Sequence, residues 1–277
     1  MWLSIIMPTY NSEKTVERAI KSIIDQNRDD VEIIFMDGGS VDNTVNIADK
    51  YHDKIAKIVS EPDNGYADAL NKGRVLATGE YVMMLAADDV LLDGAINKIY
   101  ESLKPDTDVW CGCQIDKVEL GYIMDRSSEN LDDLKKGCSL KHPSTVFRKS
   151  IIDDIGGYDT SYKCNADWNL FLRLAEKNVV FQIEDVPVVL FDARGMSNSN
   201  FALLSEENAK IAEAHDFDKT VTDELVNIAY YKSKYDFFKK VLYKIGWLPI
   251  IYRIMGMPDA CLSRKYASFL VGKYYEK

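Results

Sequence analysis

No run in this sequence approaches the roughly 18 consecutive apolar residues of a membrane span. The nearest, "IGWLPIIYRIMGM", is broken by Pro249 and Arg253. A secretory leader is not expected either, because a strand begins after two residues and leaves no room for a charged region ahead of an apolar one. Cysteine is sparse: Cys111, Cys113, Cys138, Cys164 and Cys261 contain no C-x-x-C pair and are odd in number, which argues against a disulfide framework and for a reducing compartment. Glycine is missing where two nucleotide-binding classes need it. The first apolar run ends in "MPTYNSEK", whereas a dinucleotide site requires G-x-G-x-x-G there and a P-loop requires G-x-x-x-x-G-K-[ST]. Basic residues are short in the body of the chain. Residues 1–218 hold 23 Lys and Arg against 39 Asp and Glu, which argues against nucleic acid as a partner, since phosphate binding needs clustered cations.

What is present is an ordinary globular composition, 47% apolar and 28% charged over 277 residues, enough for one large α/β domain with an appendage. The first hundred residues alternate. "LSIIMP", "VEIIFMD", "KIAKIVSE" and "YVMML" are strands apolar on consecutive positions, as in a sheet buried on both faces. Between them lie helices in "SEKTVERAIKSIIDQ", in "NTVNIADKY" after an Asp42 N-cap, and in "GYADALNKGRVLA". Strands joined by single helices imply right-handed crossovers and a parallel, doubly wound sheet. After Pro105 the rhythm changes: "DVWCGCQID" and "ELGYIMD" look antiparallel, "DDLKKG" is a turn of helix, "DWNLFLRLAEK" a helix, and "VVFQI" and "VPVVLFD" two strands. From about Phe201 the pattern is helical to the end, without repeats or low complexity.

Three carboxylate-bearing loops, "MDGGSVDNT", "EPDNGYADALNKG" and "AADD", follow successive strands and should open on one sheet edge, where α/β proteins bind ligands. Asp88 and Asp89, at the end of "YVMML", repel each other unless a cation lies between them and a further anion. A plain turn is the alternative, with Asp93 capping the next helix.

These loops, together with "MPTYNSEK", resemble in content and order the family 2 glycosyltransferases, over Leu3 to about Ser199. The resemblance implies the GT-A fold: a Rossmann-like, mostly parallel sheet with an antiparallel acceptor-side portion, here followed by a helical C-terminal tail. The expected units are a catalytic domain over 1–200, divided into a nucleotide-binding half (1–105) and an acceptor-side half (106–200), and a helical extension over 201–277. It also implies inverting transfer of a sugar, with a UDP-sugar the expected donor, to a saccharide or lipid-linked saccharide hydroxyl in surface polysaccharide or glycan synthesis. Carried over by motif, Pro8, Thr9 and Tyr10 line the base and Asp37 accepts its N–H, the alternative for Asp37 being a turn carboxylate before Gly38. Asn64 and Asp68 contact the donor or simply cap a helix; the Arg that one common family pattern places before the helix Asn is Leu70 here. Asp89 binds Mg²⁺ or Mn²⁺ and Asp88 touches ribose or sugar, although the first acid of the family's D-x-D is replaced by Ala86 or Ala87. Asp167, in "NADWNLFLRL", is the base or else a helix cap; its usual acidic neighbour is Ala166. "KHPSTVFRK" brings His142, and with it Arg148, towards the pocket, or leaves His142 a structural group, and "ARGMSNS" approaches the diphosphate.

Two other readings stay open: a sugar-phosphate nucleotidyltransferase, which would want a Gly-rich basic loop after the first strand, and a scaffold that binds nucleotide-sugar with little turnover. The tail differs in charge from the body. Residues 219–277 carry 11 Lys and Arg against 5 Asp and Glu, interleaved with aromatic residues from Tyr230 to Gly256. That mixture suits a peripheral, anionic membrane surface on the cytoplasmic side, or else packing in an oligomer.

Overall fold

The computed structural model describes residues 1–118, 121–177, 179–192, 201–225 and 261–262. β1 (Leu3–Thr9), α1 (Val16–Ile24), β2 (Val31–Asp37), α2 (Thr44–Asp49), β3 (Lys57–Ser60), α3 (Tyr66–Leu76) and β4 (Tyr81–Met84) alternate as the pattern implied. The strands lie in the order β3-β2-β1-β4, all parallel. Alternation along β1 shows why every position is apolar: Leu3, Ile5 and Met7 enter one core, with Val16, Ala19 and Ile20 of α1, while Ile6 enters the other, with Leu70 of α3. Gly73 lets α3 lie directly on the sheet. A Cβ there would collide with Ile6 Cγ2 and stand 3.1 Å from Met36 Cγ.

The second half adds β5 (Val90–Leu91), α4 (Ala95–Ser102), β6 (Val109–Val118), β7 (Gly121–Asp125), β8 (Thr145–Arg148), α5 (Lys149–Asp154), α6 (Ala166–Glu176), β9 (Phe181–Asp192), α7 (Phe201–Ala214) and β10 (Cys261–Leu262). β8 joins β4 antiparallel, β6 joins β8 and β7 antiparallel, and β9 runs parallel to β6 and antiparallel to β5. "VVFQI" and "VPVVLFD", expected as two strands, are one, because β9 keeps pairing with β6 through a register shift around Cys113. The helix expected over "SEKTVERAIKSIIDQ" begins only at Val16, since Ser12 and Thr15 close a turn first. The pattern predicts helix to the end of the tail, yet Cys261 and Leu262 pair with Ile123 and Tyr122 of β7, in that order. Ile211 and Ala212 of α7 and Leu225 enter the same core as Leu170 and Phe171 of α6, so the first part of the tail packs into the catalytic body.

Candidate active site

The carboxyl ends of the parallel strands form one edge. Thr9 and Asp37 are register partners, as are Asp37 and Ser60. Pro8 and Thr9 are buried, and the Tyr10 ring beyond them is 61% exposed, open to stack on a planar group. Asp37, 3% exposed, organises its own loop: Oδ2 accepts from the Gly39 and Ser40 N–H groups at 3.1 and 2.9 Å and from Ser60 Oγ at 2.7 Å, and Oδ1 accepts from Ser40 Oγ. Oδ1, which accepts a single bond, keeps acceptor capacity for a ligand N–H. Asp63, from the next loop, lies against Gly38, where a Cβ would sit 2.5 Å from its Oδ2. Asp68 Oδ2 accepts the Asn64 N–H at 3.0 Å and pairs with Lys72 at 3.4 Å. That N–H, then Lys72, holds the Asp68 carboxyl below its ordinary range. Both residues are thus engaged in ordering the start of α3.

Asp88 and Asp89 follow β4 at the same edge, in a turn closed by Asp89 N–H donating to Ala86 O at 3.1 Å. Asp93 does not cap α4, whose N-cap is Gly94. Asp89 is 1% exposed, and its Oδ1 accepts the Asp192 N–H at 3.0 Å, tying the turn to the end of β9. Burial raises the Asp88 carboxyl, with the Asp192 charge adding to it; burial and then the Asp88 charge push Asp89 well above the ordinary carboxylate range. The local counter-charge is Arg18, whose Nη2 donates to Asp88 O at 2.8 Å and stands 3.9 Å from Asp192. Among the described residues no three His, Cys, Asp or Glu side chains are arranged to hold an ion by themselves. Asp89, with Asp88 beside it, suits a hard divalent cation that takes its remaining oxygen ligands from water and a diphosphate.

Asp167 occupies the first turn of α6, but the N-cap is Asn165. Its Oδ1 accepts the Trp168 N–H at 2.8 Å, and Cys138 Sγ lies 3.9 Å from its Oδ2. Burial raises this carboxyl to about 6. The turn ahead of α6 is held instead by Glu207 of α7, whose carboxylate accepts the N–H groups of Lys163, Cys164 and Asn165 at 2.5, 3.0 and 2.8 Å.

Tyr66, at the start of α3, joins the two ends of the site. Tyr66 is 40% exposed as a residue, and desolvation of its hydroxyl, then the charges of Asp167, Asp89 and Asp88, hold the phenol well above its ordinary pKa. Beneath it, His142 is 4% exposed, donates to or accepts from Tyr158 OH through Nε2 at 2.7 Å, and packs edge-on to the Tyr66 ring. Burial lowers its pKa to about 4, so it is a neutral support for Tyr66. Arg148 is not at this edge. It pairs in register with Tyr81 at the amino end of β4 and bonds Glu80 at 2.7 Å, because β8 runs antiparallel to β4 and carries its last residue away. "ARGMSNS" lies outside the described residues.

Sequence reasoning missed Asp192, Tyr66, Asp63 and Glu207. The signal for Asp192 was available: "VPVVLFD" ends in a carboxylate just as "VEIIFMD" does.

An open β3-β2-β1-β4 sheet, an antiparallel second half and a carboxylate-lined edge between them define a GT-A type α/β transferase fold. The profile of glycosyl transferase family 2 matches residues 4–159, and the chain belongs to that family. It is 27% identical to an uncharacterized glycosyltransferase of Rickettsia typhi over 97% of this chain and 88% of that protein. It is 31% identical to a PGL/p-HBAD biosynthesis glycosyltransferase of Mycobacterium bovis over 61% of this chain and 68% of that one. Among solved structures, S. aureus TarS 1–349 in complex with UDP-GlcNAc shares the fold with a TM-score of 0.61 at 19% identity, covering 84% of this chain and 72% of that one. The mannosyltransferase PcManGT from Pyrobaculum calidifontis, in complex with GDP-Man and Mn2+, does so with a TM-score of 0.58 at 16% identity over 97% and 82%.

Proposed function

We propose that the protein is an inverting, metal-dependent glycosyltransferase that moves a sugar from a nucleoside-diphosphate sugar, a UDP-sugar by preference, to a hydroxyl of a saccharide or lipid-linked saccharide in surface glycan synthesis. The observation that carries this reading is the carboxylate corner where β4 and β9 end, with the Asp192 N–H on Asp89 Oδ1 at 3.0 Å and Asp37 on the same sheet edge, together with a separate carboxylate, Asp167, raised by burial to about 6. Pro8, Thr9, Tyr10 and Asp37 take the base, with Asn64 and Asp68 ordering the adjoining loop. Asp88 takes the ribose or sugar, and His142 acts from beneath by holding Tyr66. The Asp167 carboxylate accepts the proton of the acceptor hydroxyl as that oxygen bonds to the anomeric carbon; the bond from that carbon to the diphosphate breaks, and the nucleoside diphosphate leaves with its electron pair. A Mg²⁺ or Mn²⁺ ion held by Asp89, with Asp88 beside it, would supply charge neutralisation for the departing diphosphate. The test is a screen of UDP- and GDP-sugars for slow hydrolysis with either ion, which needs no acceptor. Release of the nucleoside diphosphate from a subset of donors is expected. Binding of those donors without release would favour the scaffold reading, and release of pyrophosphate from a sugar phosphate and UTP would favour a nucleotidyltransferase.

Membrane association belongs to the same proposal. The basic, aromatic stretch from Tyr230 to Gly256 lies outside the described residues, and among the described residues no helix is long and apolar enough to cross a membrane. A surplus of about six positive charges beyond Asp218 draws the chain to anionic lipid by about 1 kcal/mol for each Lys or Arg near the surface. Flotation with anionic liposomes should carry the full chain at low salt and leave it behind at high salt, while a chain ending just after Leu225, which keeps that residue in the core, stays unbound. Equal flotation of both would sink the idea and favour an oligomer contact or packing on the body.

A further inference from the structure

The sheet face beside Asp167 carries polar groups where a core would be expected. β6 enters the interior with Trp110 in one core and Cys111 in the other, then shifts register against β9 around Cys113. Beyond the shift Ile115 faces the first core, so Gln114 and Asp116, its neighbours on the strand, face the opposite side, that of α6. Gln114 is 5% exposed, and its Nε2 donates to Asp116 Oδ1 at 2.7 Å. Its Oε1 accepts no hydrogen bond among the described residues. A buried amide oxygen left without a donor loses its hydration with nothing in return, and such atoms are rare unless a ligand or water meets them.

The surroundings say what that ligand must bring. Asp116 is half-buried near Asp125, its register neighbourhood being Gln114 with Asp125 and Asp116 with Ile123. Burial, then the Asp125 charge, raises the Asp116 carboxyl to about 6. Lys141 is committed to Asp125 at 2.8 Å. The charge of Lys141 reaches Asp116 on one side and Cys138 on the other, and Cys138 Sγ is the group 3.9 Å from Asp167 Oδ2. On its second edge β6 places Asp116 beside Phe191 and Lys117 beside Asp192, next to the Asp89 corner. The strip therefore runs between the base and the carboxylate cluster. It offers two acceptors side by side, an amide oxygen and a carboxylate, which repel a phosphate or carboxylate and fit a pair of O–H donors.

We propose that Gln114 and Asp116 are the acceptor-recognition pair, taking a saccharide through two neighbouring hydroxyls and so presenting a third to Asp167. The inference rests on the glycosyltransferase reading and adds the acceptor's chemistry and the residues that select it.

Saturation-transfer NMR on the full chain with UDP and Mg²⁺, the diamagnetic ion, tests it, using the methyl glycosides of mannose, galactose and glucose as probes. At least one should receive saturation from the wild type. Its affinity should fall about tenfold in Gln114→Met, which keeps the side-chain volume, and in Asp116→Asn, as expected for losing one or two hydrogen bonds in a buried site. A cooperative thermal melt of each variant establishes that it is folded, and Gln114→Glu, which restores an acceptor oxygen, should recover part of the binding. UDP titration separates this inference from the broader one. No UDP binding by the wild type would overturn the glycosyltransferase reading, and the acceptor pair with it. UDP binding with no glycoside bound, or with glycoside affinity unchanged in both folded variants, would overturn the acceptor pair alone.

Discussion

Replacing Asp167 by Asn is expected to lower sugar transfer by about two to four orders of magnitude, the usual span for a positioned base, while leaving donor affinity nearly unchanged. The structure separates this outcome from a folding defect. A capping Asp would accept N–H groups two or three residues ahead, and its loss would cost about 1 kcal/mol of helix stability. Asp167 instead takes the N–H of the adjacent Trp168, Asn165 stands at the N-cap, and Glu207 satisfies the N–H groups of the preceding turn. An Asn side chain can keep the Trp168 bond through its amide oxygen. What it cannot do is accept a proton from a hydroxyl. The pH profile gives a second readout. Burial raises the Asp167 carboxyl to about 6, so its basic, deprotonated form predominates above that pH and declines below it. Wild-type transfer should level off above about pH 6 and fall about tenfold per pH unit below, and the residual activity of Asp167→Asn should lack that limb. Loss of donor binding in titration, or an acid limb unchanged in the variant, would make Asp167 a structural residue.

The residues that sequence reasoning located and those it missed differ in how far apart in the chain their partners lie. Asp37, Asp88 and Asp89 end strands of a parallel sheet, and crossover geometry alone sends such ends to one edge. Asp192 ends a strand too, but its place depends on β9 running antiparallel to β5, which sets Val90 against Leu190 and brings the Asp192 N–H onto Asp89. Nothing local in "VPVVLFD" gives that direction. Glu207 has the look of a solvated residue on an amphipathic helix, yet it is 4% exposed because α7 folds back over the start of α6. His142 shows the converse. Its motif pointed to the pocket, and four aromatic rings, those of Tyr66, Phe147, Tyr158 and Phe171, enclose it one layer below. Tyr66 was passed over because one aromatic residue at a helix start carries no signal until the three loops around it are assembled.

Excess chelator should abolish transfer, and Asp89→Ala should reduce it by about three orders of magnitude or more, since neutralising a departing diphosphate is worth several kcal/mol. Asp88→Ala should retain part of the activity, because Asp88 is only partly buried and Asp89 remains. The electrostatics of the cluster supply the reason. Asp89 is enclosed, and burial, followed by the charge of Asp88, raises its carboxyl well above the ordinary range. A carboxyl raised on folding makes the folded state bind protons more tightly than the unfolded one, so stability is lost as pH rises from the unfolded value through the folded one. At neutral pH the native cluster is therefore held in an unfavourable state that a divalent cation relieves. Mn²⁺ together with UDP should raise the melting temperature of the wild type at pH 7, by about 2–4 °C for each kcal/mol of binding free energy realised. The same addition should leave Asp89→Ala unmoved by the metal, although UDP alone can still act on it through Asp37 and Tyr10. Asp89→Asn should keep the Asp192 N–H partner and so stay folded, which makes it the cleaner variant for separating lost chemistry from lost structure. Undiminished transfer in excess chelator, or full transfer by Asp89→Asn, would show that the cluster serves the fold and that the diphosphate is neutralised by other groups.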